Sequence, residues 1–313
     1  MGKPQVVVIT GPTATGKTAL ALTLAQHYNA EIISADSRQV YRHLDIGTAK
    51  PTPAEQALVP HHVIDVVNPD EHFDVARFRA LAHEAIAALT RHGKRVFVVG
   101  GTSLYIRALT RGLFVGPQAD PALRKRLTAQ EQEHGPGFLH DWLHRVDADT
   151  AQRLHPNDRA RLIRALEVWL LSGKPMSVWQ REHSFRERPF STLLVSLVLE
   201  RAVLARRIQQ RCQQMIRDGL VDEVRRVWDM GFGEQLPVFR TIGYAQIVDL
   251  LHGRSSLEEA AARMSTATRR LAKRQLTWLR AEPGVQWYTP AQGKDIDRAV
   301  QHFFDSKGRL SNR

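Results

Sequence analysis

Residues 11–18 read GPTATGKT, directly after QVVVIT at residues 5–10. The six-residue run is short, apolar and closed by a Gly-rich turn, the signature of a buried strand in a parallel sheet. The eight residues match G-x-x-x-x-G-K-[ST], and they lie between that strand and the helical pattern GKTALALTLAQHYN, the context that gives the match its meaning. Gly11 and Gly16 let the chain wrap through Pro12, Thr13, Ala14 and Thr15 so that backbone N–H groups point inward at phosphate oxygens. A helix N-terminus starting near Lys17 adds partial positive charge. Lys17 is placed to meet the distal phosphate, and the Thr18 hydroxyl to complete a magnesium shell. Taken alone, the loop makes ATP its default ligand, but it does not say whose phosphates are held.

Outward from the loop, strands and helices alternate. AEIIS is a second strand ending at ADSRQVY, HHVIDVV reads as a third, and KRVFVVGG as a fourth. DVARFRALAHEAIAALTRHG is an amphipathic helix closed by Gly93, and Asn29 is the stop of the helix before it. The expected fold is therefore α/β: a P-loop NTPase-like, doubly wound parallel sheet. From residue 116 to 189 helical patterns such as ALRKRLTAQEQEHG and RARLIRALEVWLLSG run without a clear strand, which reads as a helical insertion domain. The P-loop α/β core is expected at 1–115 and 190–313. STLLVSLVL returns to the sheet, GVQWYT is a final edge strand, and a long helix runs from about Ser256 to Glu282. Along it Leu257, Ala261, Met264, Thr268, Leu271, Gln275 and Trp278 predict one packing stripe.

Composition narrows the function classes. Hydrophobic residues make up 43% of 313, with no apolar run of membrane-spanning length. The first residues pass straight into a core strand, unlike a signal peptide, and Val6 stands where a myristoylation signal needs Ser or Thr. With one cysteine, Cys212, the chain has neither an internal disulfide nor a cysteine-built zinc site. His61, His62 and the other histidines lack metal-ligand spacing. The expected location is cytoplasmic. The net charge of +12 is spread as +3, +2 and +7 over residues 1–115, 116–195 and 196–313. An Arg-rich C-terminal third is what a polyanionic partner requires.

Two strand ends carry further chemistry. In a doubly wound sheet ligands sit at the carboxyl edge, so Asp36 falls near the phosphate loop, as magnesium-orienting group, general base or plain turn residue. Ser37, Arg38 and Gln39 stand beside it. Thr102, after Gly100 and Gly101, could reach a phosphate oxygen. The tip of VFVV lacks the acid that a nucleotide-hydrolysing motor uses there, and Asp65 lies inside a strand pattern.

At these residues the chain resembles one family. GPTATGKT, ADSRQVYRHLDIGTAKP, VVGGTSLYIRAL, HPNDRARLIRALEV, FRTIGYAQ and KRQLTWLR follow one another as in bacterial tRNA dimethylallyltransferases, from about residue 5 to 281. The resemblance implies transfer of a dimethylallyl group from dimethylallyl diphosphate to the exocyclic amine of the adenosine 3′-adjacent to the anticodon. Diphosphate leaves and Mg2+ is required. Asp36 matches the family's base, with Thr102 beside the diphosphate and Arg211 joining the diphosphate contacts. The partner is the anticodon stem-loop of tRNA, and the expected assembly is a monomer. Resemblance places RNA contacts at Asp36, Ser37, Arg38 and Gln39, at Arg124, and at Ala160, Arg161, Leu162, Ile163 and Arg164. It continues them at Arg240, Thr241, Ile242, Gly243, Tyr244 and Ala245, and at Lys273, Arg274, Gln275, Leu276, Thr277, Trp278, Leu279 and Arg280. HPNDRARLIRALEV departs from the family pattern, where Gln is usual near Ala160, and Trp278 reads as a core residue within its range. Arg269, Lys273 and Arg280 share roughly one helix face, with Arg270 and Arg274 beside it. The alternatives are prenyl transfer to free adenine nucleotide, a P-loop small-molecule kinase, and an RNA-binding NTPase.

Overall fold

In β1 (Gln5–Thr10) alternate side chains serve two cores: Val6 and Val8 face one, Val7 and Ile9 the other, all four fully buried. A strand buried on both faces needs apolar residues at every position, which is why it reads as a continuous run. The computed structural model describes residues 2–306. Their sheet has six strands in the order β3-β2-β4-β1-β5-β6, with β2 (Ala30–Ser34), β3 (His61–His62), β4 (Arg95–Val99), β5 (Ser191–Leu197) and β6 (Val285–Tyr288), every pairing parallel.

One core packs the sheet against α1 (Lys17–His27) and the C-terminal α14 (Gly293–Asp305), through Leu22, Leu24, Ile296, Val300 and Phe304. On the opposite face lie α3 (Val75–Arg91), α4 (Ser103–Arg111), α10 (Arg201–Arg217), α11 (Leu220–Asp229), α12 (Tyr244–Leu251) and α13 (Leu257–Ala281). The short α2 (Pro53–Leu58) sits on the path from β2 to β3 and opens with a capping box at Thr52 and Glu55. Ser256 and Glu259 cap the 25-residue α13 in the same way.

The chain divides into two compact units, residues 1–110 with 188–313, and 111–187. The second contains α5 (Pro121–His134), α6 (Phe138–Val146), α7 (Ala148–Ala151), α8 (Arg159–Ser172) and α9 (Met176–His183), with a core of Leu123, Leu127, Leu139, Leu143, Leu162 and Leu166. Among the described residues no helix is long and apolar enough to cross a membrane.

Two sequence expectations change. HHVIDVV is not a full strand: it pairs with β2 only at His61 and His62, and then Val63 and Asp65 take left-handed backbone, with φ of 60° and 54°. Asp65 turns its carboxylate to the buried Lys50 ammonium at 2.5 Å, and Val67 bridges to Tyr41 instead. The stripe along α13 is also rotated. Its buried residues are Ala260, Met264, Ser265, Ala272 and Leu279, while Leu257 at the first turn is 47% exposed. Trp278 packs partly buried against the larger core, with the Arg107 guanidinium 5.1 Å from its ring centroid.

Candidate diphosphate and nucleic-acid site

Gly11 follows β1 with φ of +137°, and a Cβ there would stand 2.5 Å from the Leu197 carbonyl at the end of β5. Only glycine combines that torsion with that approach. Gly16, at φ +95°, then turns the chain into α1. Thr15 is fully buried and donates its hydroxyl to the Pro12 carbonyl at 2.9 Å, closing the loop on itself. The Lys17 ammonium lies over the loop, donating to the Gly11 and Pro12 carbonyls at 3.0 and 2.8 Å. Burial, and then the charge of Arg211, lower its pKa to about 8 against an opposing pull from Asp36. Arg211, from α10, donates to the Thr13 hydroxyl at 3.2 Å, and burial holds its pKa below the usual arginine range. Two cations are thus kept close together and partly stripped of water, an arrangement that favours an incoming polyanion.

The strand register brings the second wall to the loop. Ser34 ends β2 opposite Val99 at the end of β4. Beyond that edge the Ala35 N–H donates to the Val99 carbonyl at 2.7 Å, and the Thr102 N–H to the Ala35 carbonyl at 3.2 Å. The Thr102 hydroxyl accepts from the Ser37 N–H at 3.0 Å, which leaves its own proton available to a ligand oxygen. Asp36 accepts from the Arg38 N–H at 2.8 Å through Oδ1. This is an Asx-type turn, and it fixes the carboxylate through one oxygen.

Lys17, Thr18, Asp36, Thr102 and Arg211 line a single cavity of about 540 Å³, together with Thr13, Ser37, Arg38 and Gln39. Arg240, Thr241, Ile242, Gly243, Arg274 and Gln275 border the same space. His61 also reaches it; its Nδ1 lies 2.7 Å from the Val59 carbonyl, and burial lowers its pKa. No cluster of three His, Cys, Asp or Glu able to hold a metal occurs among the described residues. Magnesium carried on a diphosphate needs only one or two protein oxygens, so the cavity with Thr18 suits a phosphate-borne cation rather than a protein-caged one.

Several residues expected at the RNA have their side chains engaged within the protein. Gln39 accepts from the Ser34 hydroxyl and donates to the Ala49 carbonyl, fastening the 48–51 loop. Gln275 spans from Thr13 to Gly101. Leu162, Tyr244 and Leu279 are buried at 0, 0 and 2% exposure and serve the cores. The Thr241 hydroxyl donates to the Val238 carbonyl. Lys273, Arg274 and Arg280 are exposed, as are Arg269 and Arg270. In the second unit Arg124 holds both oxygens of the fully buried Glu167 at 2.8 and 2.9 Å, and Arg164 adds a contact at 2.6 Å. Burial alone would raise the Glu167 pKa, but these guanidinium groups and the Asp120 N–H bring it below the usual range. Ala160 and Arg161 lie exposed on the first turn of α8, and Ile163 packs on that unit's core.

Sequence reasoning missed Glu223. In the first turn of α11 it is 1% exposed, and it accepts from the backbone N–H groups of Asp45, Ile46 and Gly47 at 2.9, 2.7 and 3.1 Å and from the Tyr244 hydroxyl at 2.7 Å. A Cβ on Gly47 would sit 2.5 Å from the Tyr244 ring. The motifs DIGTAKP and RTIGY are therefore two halves of one contact, joined by a carboxylate that nothing in the local pattern marks.

A family model described as IPP transferase matches residues 39–282, and one described as isopentenyl transferase matches residues 4–66. The chain is 48% identical over 301 residues to tRNA dimethylallyltransferase 2 of Syntrophus aciditrophicus, covering 96% of this chain and 97% of that protein. It is 47% identical to the tRNA dimethylallyltransferase of Geobacter metallireducens, over 96% and 98% of the two chains. Among solved structures, the tRNA isopentenylpyrophosphate transferase of Bacillus halodurans superposes with a TM-score of 0.73 at 38% identity, over 99% of this chain and 100% of that one. A eukaryotic dimethylallyltransferase acting on tRNA superposes with a TM-score of 0.80 at 28% identity, over 99% and 80%. With its phosphate loop facing Asp36 and Thr102 across one cavity, this chain belongs to the IPP transferase family.

Proposed function

We propose that this protein transfers a dimethylallyl group from dimethylallyl diphosphate to the exocyclic amine of the adenosine next to the anticodon, on its 3′ side, in tRNA. The observation that carries the reading is the meeting of Lys17, Arg211, Asp36 and Thr102 on the walls of one cavity. The diphosphate rests on the loop, held by Lys17, Arg211 and the Thr102 hydroxyl, with the dimethylallyl carbon directed at the Asp36 wall. An exocyclic adenine amine is a weak nucleophile, so its proton must be removed as the bond forms. The amine nitrogen attacks the allylic carbon, the bond from that carbon to the diphosphate oxygen breaks, Asp36 takes the amine proton, and diphosphate departs. Mg2+ bound to the diphosphate supplies neutralisation of the leaving group's charge, with the Thr18 hydroxyl as its protein ligand. The acceptor base must leave the anticodon-loop stack to enter a cavity of this kind. The exposed cations of α13, among them Lys273, Arg274 and Arg280, suit the phosphates on either side of it.

Incubating the protein with labelled dimethylallyl diphosphate, Mg2+ and an anticodon stem-loop tests the reading. Label should move to the RNA. Label appearing on free adenine nucleotide but never on RNA would transfer the assignment to a nucleotide prenyltransferase. ATP-dependent phosphorylation of a metabolite would make the loop a kinase site.

A further inference from the structure

Gln275 lies on α13 between the exposed Arg274 and the half-buried Leu276, yet its side chain turns away from solvent. Its Oε1 accepts from the Thr13 N–H at 3.0 Å, and its Nε2 donates to the Gly101 carbonyl at 3.0 Å. The backbone N–H can only donate and the carbonyl can only accept, so these partners fix which end of the amide is which. A Cβ on Gly101 would stand 2.3 Å from Nε2, which gives that glycine its reason.

We propose that Gln275 is a positioning residue for the diphosphate: a strut that sets the gap between the phosphate loop and the strand end carrying Thr102. The inference rests on reading the loop as the diphosphate site. Thr13 is gripped twice, at its N–H by Gln275 and at its hydroxyl by Arg211. Gly101 directly precedes Thr102, whose hydroxyl is oriented by the Ser37 N–H. One amide therefore ties together the two walls that must close on the same phosphates. The role needs a neutral group that donates and accepts at once over this span. Glutamate offers no donor to Gly101 and places negative charge beside a polyanion, while alanine leaves an N–H and a carbonyl without partners. The inward amide is also committed to its own chain, so within Lys273–Arg280 the RNA-facing work falls to the exposed cations.

The test is titration of the full-length protein with inorganic pyrophosphate plus Mg2+, and separately with an anticodon stem-loop. Gln275→Ala should weaken pyrophosphate about tenfold, the equivalent of one lost net interaction of the site, and leave stem-loop affinity within about twofold of the parent. In turnover the KM for the allylic diphosphate should rise while the KM for RNA stays put. Gln275→Glu, which preserves the packing volume, should weaken pyrophosphate at least as much. Gly101→Ala should reproduce the defect by pushing Nε2 aside. Loss of stem-loop binding with unchanged pyrophosphate affinity in Gln275→Ala would make the residue an RNA contact and overturn the proposal, as would parental pyrophosphate binding by Gly101→Ala. A parent protein that binds no pyrophosphate would overturn the diphosphate reading and this strut with it, whereas label transfer in the parent alongside a silent Gln275 would overturn the strut alone.

Discussion

Lys17 donates to the Gly11 and Pro12 carbonyls of its own loop. With a pKa lowered to about 8, the amine is partly neutral in mildly alkaline solution, and a bound diphosphate restores the proton by placing negative charge against it. Diphosphate binding should therefore take up a proton above about pH 8, visible as a buffer-dependent heat in calorimetry at pH 8.5. Buffer-independent heats would mean the amine is already fully charged. The same shift bears on stability. The unfolded chain holds the Lys17 proton up to its ordinary pKa and the folded chain releases it earlier, so Lys17 contributes stability that increases with pH from about 8 to 10.5. Asp36 is the proposed base. Its Oδ1 accepts from the Arg38 N–H, and the residue lines the cavity. Asp36→Ala should abolish transfer to RNA while stem-loop affinity changes by no more than a few-fold. Retained turnover would remove Asp36 as the base.

At the scale of elements, α11 anchors a stretch of chain that has almost no regular structure. The 45–51 segment lines the cavity through Gly47, Thr48, Ala49 and Pro51; beyond its own turns, its backbone is held by Glu223 at Asp45, Ile46 and Gly47 and by Gln39 at Ala49. A buried carboxylate with four donors is well satisfied, but removing it strands three amides and a phenol. The buried Tyr244 hydroxyl, raised well above its ordinary pKa by burial and by Glu223, stays protonated and donates. Glu223→Ala should cost roughly 3 kcal/mol or more, lowering the thermal midpoint by about 6–12 °C for a domain of this size. Glu223→Gln, which keeps one acceptor oxygen, should fall between. Differential scanning calorimetry decides it. A midpoint shift under 2 °C (about 0.5–1 kcal/mol) in the alanine variant would mean the segment holds its conformation without Glu223.

For the molecule as a whole, the net charge is +12, and its largest share, +7, falls in residues 196–313. Lys273, Arg274 and Arg280 stand exposed, whereas Arg124 and Arg164 are engaged with Glu167 and Lys50 with Asp45 and Asp65. Stem-loop affinity should fall linearly with the logarithm of salt concentration, and replacing Lys273 by alanine should reduce the log–log slope by about 0.7–1. An unchanged slope would take Lys273 off the RNA phosphates. Much of this protein was legible from short-range pattern. The phosphate loop, the double-faced strands, the helix stops at Asn29 and Gly93 and the placing of Asp36 and Thr102 at strand ends all depend on neighbours within a few positions, where torsions and side-chain period carry the signal. The segment after His62 was not legible, because its apolar run suits a strand while Lys50 and Tyr41 hold it in another path. Nor were the roles of Gln275, Gln39 and Glu223. Gln275 reaches back 262 residues to Thr13, and Glu223 178 residues to Asp45. A buried polar group takes the partner that folding delivers to it, and a hydrogen bond across that distance leaves no periodic trace in the chain. The kind of site was therefore written locally, while the assignment of each polar side chain to the ligand or to the frame that holds it was settled only when the strands and helices packed.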